Sequence, residues 1–340
     1  MLPNMDKNPS QLPQVSRRTL LGTAAGLSAG LLMTGLTAKA ASPFATPLAS
    51  PASKPKRALR VVHMTDTHIQ PELAANEGVR ACLKHIAAMK EPADLILTGG
   101  DTIMDSFEEG HERTKALWDL WGATLKDAHQ APMLSALGNH DIWGWNKGKS
   151  KTKGDEKGWG KAWACEQFQR DKPYTSKDQG GWHFIVLDSI REDKNDPNGY
   201  EAFLDDEQFD WLAKDLAATT KPTLILSHAP ILSVTPLEGL KTNATGDRVI
   251  AGGKMHTDFP KLSALFQKHK HVKACVAGHI HLLDRVEYNG VKYFCNGAVS
   301  GGWWKGPNRT CQPGYAVLDL MDDGTLTNEY VEYGWVARKG

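Results

Sequence analysis

Five stretches of this chain end in side chains that can hold a cation or an anion. The β-rich run Leu59–Met64 leads into Asp66-Thr67-His68, and Leu95–Thr98 into Gly99-Gly100-Asp101. Met133–Leu137 leads into Gly138-Asn139-His140-Asp141. Thr223–Ser227 leads into His228, and Lys273–Ala277 into Gly278-His279-Ile280-His281. A buried strand that stops this way sets the next side chains at its carboxyl end, where open α/β sheets bind ligands. Carboxylate, imidazole and amide oxygen together suit borderline cations such as Mn²⁺, Fe²⁺/³⁺ and Zn²⁺. Any one of these endings would pass for an ordinary turn. Five of them point to one site.

Their order, D-x-H, G-D, G-N-H-[DE], H and G-H-x-H, resembles the signature of the calcineurin-like metallophosphoesterase superfamily. The resemblance runs from about Arg60 to Gln312. It implies that Asp66, His68 and His281 hold one metal, that Asn139, His228 and His279 hold a second, and that Asp101 bridges them. The cofactors expected are two transition-metal ions, Mn, Fe or Zn. Such a pair would hold a bridging hydroxide for in-line attack on phosphorus and neutralise charge on the non-bridging oxygens. His140 is not needed as a ligand, so its expected role is to protonate the leaving oxygen or to bond the phosphoryl group, oriented by Asp141 or Asp105. Purple acid phosphatases carry Gly in place of His68 and a tyrosine ligand where this chain has Met104. The pattern therefore comes closest to the class III cyclic-nucleotide phosphodiesterases. The other eight of the 13 histidines read as surface or structural residues.

The function these residues imply is hydrolysis of a small phosphoester, with phosphodiesters, cyclic nucleotides among them, favoured over monoesters. A broad-specificity phosphomonoesterase that scavenges phosphate is the rival enzyme. A non-catalytic envelope binding module is the rival outside enzymology, and the complete ligand set with His140 argues against it. A zinc peptidase would need HExxH, which is absent. Bulk charge gives a nucleic-acid polymer no support. Residues 1–40 hold Lys7, Arg17, Arg18 and Lys39 against Asp6, leaving 36 basic and 38 acidic residues in the remainder.

The N-terminus reads as a targeting segment over residues 1–40. Ser16-Arg17-Arg18-Thr19-Leu20-Leu21 resembles the twin-arginine export motif, and Ala38-Lys39-Ala40 a signal-peptidase site. The Gly- and Ala-rich run between them is short for a membrane span, so no permanent anchor is expected. Twin-arginine machinery exports folded proteins, and the expected destination is the periplasm. Among the five cysteines, Cys295 or Cys311 is a candidate for a disulfide there.

Residues 41–58 read as a disordered lead-in and 59–336 as a single domain. Apolar spacing predicts helices over 76–90, 107–129, 205–216 and 258–269, the last capped by Asp258. The lysine- and glycine-rich stretch 144–160 reads as a solvated loop or a flap beside the site, and 231–257 as a long loop over it. Asn289-Gly290 and Asp323-Gly324 predict hairpins near the end. Early alternation followed by hairpins fits an α/β fold, a four-layer αββα sandwich of two mixed sheets flanked by helices. Trp303-Trp304 lies between glycines, so the pair is either core packing or a loop offering rings to a substrate.

Overall fold

The structure, a computed structural model, describes residues 54–128 and 131–338. The targeting segment read at 1–40 and most of the lead-in lie outside the described residues. In chain order the strands are β1 (Arg57–Met64), β2 (Leu95–Gly99), β3 (Met133–Ala136), β4 (Thr175–Gln179), β5 (Trp182–Val186), β6 (Ile190–Glu192), β7 (Tyr200–Ala202) and β8 (Thr223–Leu226). They continue as β9 (Lys241–Thr242), β10 (Arg248–Val249), β11 (Val272–Ala277), β12 (Leu283–Tyr288), β13 (Val291–Asn296), β14 (Gly314–Met321) and β15 (Leu326–Glu332). The helices are α1 (Ala75–Ala87), α2 (His111–Ala128), α3 (Lys147–Ser150), α4 (Ala162–Gln167), α5 (Asp206–Ala218) and α6 (Phe259–Lys268).

Two mixed sheets form the body. One runs β15-β14-β1-β2-β3 and the other β12-β13-β11-β8-β5-β4. Each has a parallel centre: β1, β2 and β3 in the first, and β5, β8, β11 and β13 in the second. Antiparallel strands close the edges. This is the αββα sandwich the sequence predicts.

Alternation along each strand builds the layers, because successive side chains point to opposite faces. Leu59, Val61, Leu95 and Leu97 of the first sheet meet Phe184, Val186, Leu224, Leu226 and Val276 of the second in a dry central core. From β1 and β2, Val62, Met64 and Ile96 face the other way, onto α1 and α2. Ile185, Ile225 and Cys275 likewise face outward onto α5 and α6. Because both faces are covered, the central strands read as continuous apolar runs rather than alternating ones.

Several boundaries differ from the sequence reading. Arg57 and Ala58 already belong to β1, two residues inside the stretch read as lead-in. The α2 helix starts at His111 rather than 107, since Phe107–Gly110 is taken up by the loop beside the site. Asp258 does not cap α6 with its side chain. That carboxylate instead accepts from the Leu204 amide and pairs with His256. The stretch 144–160 contains α3 and is braced from within, Lys147 donating to the Lys153 carbonyl and Trp159 to that of Gly144. All five cysteines are buried free thiols, so no disulfide forms at Cys295 or Cys311. At Asn289-Gly290 both residues have positive φ, the geometry of the predicted hairpin turn.

Candidate metal centre

Every residue of the expected ligand set follows directly on a parallel strand. Asp66 and His68 follow β1, Asp101 follows β2, and Asn139 follows β3. His228 follows β8, and His279 and His281 follow β11. These five strand ends come from both sheets and converge at one edge of the sandwich.

The backbone there is bent hard. Asp66, His68, Asp101, His279 and His281 all have positive φ, between 39° and 69°. Non-glycine residues adopt this region at a cost and cluster at functional sites. Two glycines let the loops close in. A Cβ at Gly138 would lie 2.1 Å from Asp101 Oδ1, and one at Gly278 2.0 Å from Asp66 Oδ2.

The ligand atoms fall into two triads, Asp66–His68–His281 and Asp101–His228–His279. A third grouping, His68–Asp101–His140, shares its first two members with them. In the first triad His281 Nε2 stands 3.2 Å from Asp66 Oδ1 and 3.1 Å from His68 Nε2. In the second, His228 Nε2 stands 3.2 Å from Asp101 Oδ2, 3.2 Å from Asn139 Oδ1 and 3.1 Å from His279 Nδ1. Asp101 Oδ2 also lies 3.7 Å from His68 Nε2, so one carboxylate oxygen faces both triads. That is where the sequence reading expects a bridging ligand.

Tautomers decide whether cations fit. His228 Nδ1 lies 2.8 Å from the Gly99 carbonyl, His279 Nε2 2.8 Å from that of Gly253, and His281 Nδ1 2.5 Å from that of Gly301. A carbonyl only accepts, so each of these nitrogens carries the proton. In neutral rings the other nitrogen of each is then a bare lone pair turned to the centre. Where His228 Nε2, His279 Nδ1 and the Asp101 carboxylate converge, a positive charge is called for, and either a proton on His228 or a cation in its place would supply it. Orientation of imidazoles by outward carbonyls is the usual support of metal-binding histidines. The residues fit two metal ions.

The electrostatics agree. Burial would push the Asp66 carboxyl up, yet the charge and hydrogen bond of His281 hold it down to about 2. Burial opposes ionisation of Asp101 too, and His228 and His140 outweigh it, leaving its pKa well below the usual carboxylate range. Burial disfavours protonation of His228 and His140, but Asp101 pushes both up to about 9. Burial and the neighbouring charge of His228 drive His279 down to about 3. Two carboxylates therefore draw positive charge into a closed space, and bound cations would supply it.

His140 differs from the rest. Its side chain is 22% exposed, whereas those of Asp66, His68 and His228 are fully buried. Its amide donates to Asp101 Oδ1 and its ring stands edge-on to His68. Asp105 Oδ1 lies 3.2 Å from His140 Nδ1. Asp141 instead accepts from the amides of Thr102, Ile103 and Gly138. Of the two aspartates left open by the sequence, Asp105 faces the ring and Asp141 ties down the loop.

The tryptophan pair divides. Trp304 is fully buried, correcting its reading as a substrate contact. Its Nε1 donates to the carbonyls of Thr67 and His68 and so braces the first ligand loop from behind. Trp303 is 39% exposed and stacks on His281 with centroids 4.4 Å apart. The outward carbonyls were missed by the sequence reading. Gly253 lies in the aperiodic stretch 231–257, where only its doubled glycine hinted at a close approach.

A closed, buried set of carboxylate and imidazole donors in two triads, with the Asn139 amide oxygen beside the second, at the strand ends of an αββα sandwich defines a dinuclear metal-dependent hydrolase. The chain belongs to the calcineurin-like phosphoesterase family, whose profile matches residues 59–283. It is 24% identical, over 80% of its length and 91% of the relative's, to a protein of Synechococcus named a probable cyclic nucleotide phosphodiesterase. It is equally 24% identical to a Nostoc 3′,5′-cyclic-nucleotide phosphodiesterase, covering 81% of this chain and 92% of that one. Among solved structures it is similar in fold to a dimetal phosphatase from Danio rerio, with a TM-score of 0.55 and 12% identity over 82% of this chain and 98% of that one.

Proposed function

We propose that this enzyme hydrolyses small phosphodiesters, cyclic nucleotides among them, after export to the periplasm. The observation that carries the diester reading is the shape of the cleft. Two cavities meet at His140: one of about 570 Å³ running past Asn139, Phe107, Trp145 and Tyr200, the other of about 530 Å³ running past Met104, Leu73 and Trp303. A phosphomonoester has one organic arm and a diester has two, so a phosphorus atom beside His140 with room on both sides suits the diester. The names borne by the Synechococcus and Nostoc relatives support the same class.

In this reading Asp66, His68 and His281 would hold one ion, Asn139, His228 and His279 would hold the other, and Asp101 would serve both; manganese, iron or zinc suits such donors. Such ions lower the pKa of water and draw charge from phosphoryl oxygens. His140, held by Asp105 at the junction of the cavities, gives its proton to the departing oxygen. Export rests on the twin-arginine-like segment, and the catalytic domain covers residues 59–336. Among the described residues no helix is long and apolar enough to cross a membrane.

The test compares wild type and His140→Ala, both loaded with Mn²⁺, on four esters: a diester and a monoester, each with a nitrophenyl or an alkyl leaving group. Wild type should favour the diesters in kcat/KM. The variant should keep its metals and lose about 10²–10⁴-fold on alkyl leaving groups, where proton donation matters, and much less on nitrophenyl ones. Preference for monoesters would support the phosphate-scavenging alternative. Equal losses on both leaving groups would remove His140 from the acid role.

A further inference from the structure

The arm of the cleft beyond His140 has a different character from its partner. Trp303, Leu73 and Met104 form an apolar wall, with Gln70 and Lys305 at the same cavity. Two of these bulky residues hold their backbones in the left-handed region, Trp303 at φ 51° and Leu73 at φ 55°. Neither is a residue type that adopts it readily, and strain of this kind persists where the surroundings enforce it. The strain at Trp303 is not repaid by burial of the ring. One side of the indole lies along His281, while 39% of the residue remains exposed at the cavity. Its neighbour Trp304, also at positive φ, is fully buried and hydrogen-bonded. The chain thus turns one tryptophan inward to support the ligand loop and leaves the other bare above the metal centre.

We infer that Trp303 is a stacking platform for a planar heteroaromatic group, a nucleobase, carried by one arm of the substrate. An apolar wall completed by a flat indole offers a purine or pyrimidine ring the contact that aromatic platforms give any base, whatever its sequence identity. Lys305 supplies a donor to a ring nitrogen or carbonyl, and Gln70 supplies both a donor and an acceptor. The phosphate then lies at the metal triads and the sugar passes His140. This inference rests on the phosphoesterase reading and narrows its substrate to nucleotide-like esters.

The experiment measures binding by calorimetry to the Mn²⁺-loaded full chain, with AMP, ribose 5-phosphate and inorganic phosphate as ligands. Wild type should bind AMP about tenfold or more tightly than ribose 5-phosphate, the gap being the base. Trp303→Ala should erase that gap, and Trp303→Phe, which keeps a flat ring, should retain part of it. Equal binding of AMP and ribose 5-phosphate in wild type overturns the inference. So does a Trp303→Ala protein that weakens on all three ligands alike, since the ring would then serve only to prop His281. Diester hydrolysis without any base preference would leave the proposed function standing and remove the platform. A base preference lost in Trp303→Ala, in a protein that cleaves no ester, would do the reverse.

Discussion

The two sheets contribute unlike halves to one site. Loops after the first sheet bring Asp66, His68, Asp101, Asn139 and His140, including every carboxylate of the centre. Loops after the second bring only imidazoles, His228, His279 and His281. Each triad takes members from both. The first sheet brings the negative charge that would attract cations, and the second brings imidazoles that would complete their coordination. Neither half alone offers a complete triad, so bound ions would clasp the two sheets together as well as serve catalysis.

The strongest way to break that arrangement is Asp101→Ala. It removes the one oxygen that faces both triads. The expected result is loss of one or both ions and of nearly all turnover, read by elemental analysis beside kcat/KM. Wild type should carry close to two transition-metal ions per chain. A single tightly held ion, unchanged in the variant, would sink the dinuclear assignment.

A substitution far from the ligands sharpens the clasp idea. Phe184 lies on β5 and is buried between the sheets. Phe184→Ala should cost about 3–5 kcal/mol through lost contact and a residual cavity. If the metals bind across the same interface, saturating Mn²⁺ should recover part of that loss, because a ligand of the folded state stabilises it by mass action. Urea midpoints with and without Mn²⁺ measure this. Identical midpoints would mean that the ions do not join the halves.

The smallest expected effect lies at an outer strand of the second sheet, where His183 serves as a control without a metal. Its ring is bonded by Asp215 of α5 and Asp178 of β4, Asp178 also pairs with Lys221, and His271 lies close by. The Asp215 hydrogen bond, working against burial and helped by Asp178, raises the imidazole pKa above its usual 6.5. A folded pKa above the unfolded one gives stability that is complete below about pH 6.5 and lost as pH rises through the folded value. The Tm of wild type relative to His183→Gln should therefore decline as pH rises from about 6.5. A constant difference would show that His183 does not titrate with folding.

Most of this site was legible in the sequence because each ligand follows a strand at once. A local rule, apolar run then donor, with glycine between them at three of the five endings, survives folding unchanged. The layers were legible for the same reason, since strand alternation and helical spacing are local. What escaped reading depends on the third dimension. The carbonyls of Gly99, Gly253 and Gly301 that orient the histidines carry no side-chain signal. The choice of Asp105 over Asp141 turns on which loop folds toward the ring. Trp303 and Trp304 are adjacent and of one type, so composition could not say that one would be buried and the other bare. Asp258 looked like a helix cap and was instead drawn to His256 and the Leu204 amide.

The five thiols carry one more consequence. Cys82, Cys165, Cys275, Cys295 and Cys311 are buried, and burial pushes all five above their ordinary pKa. A buried thiol kept protonated is a poor partner for disulfide exchange or oxidation. The fold therefore needs no oxidant to form and offers little for an oxidant to attack. It can be completed in a reducing compartment, and an oxidising one would find the same buried thiols. So far as its thiols are concerned, the redox state of the surroundings drops out of its stability.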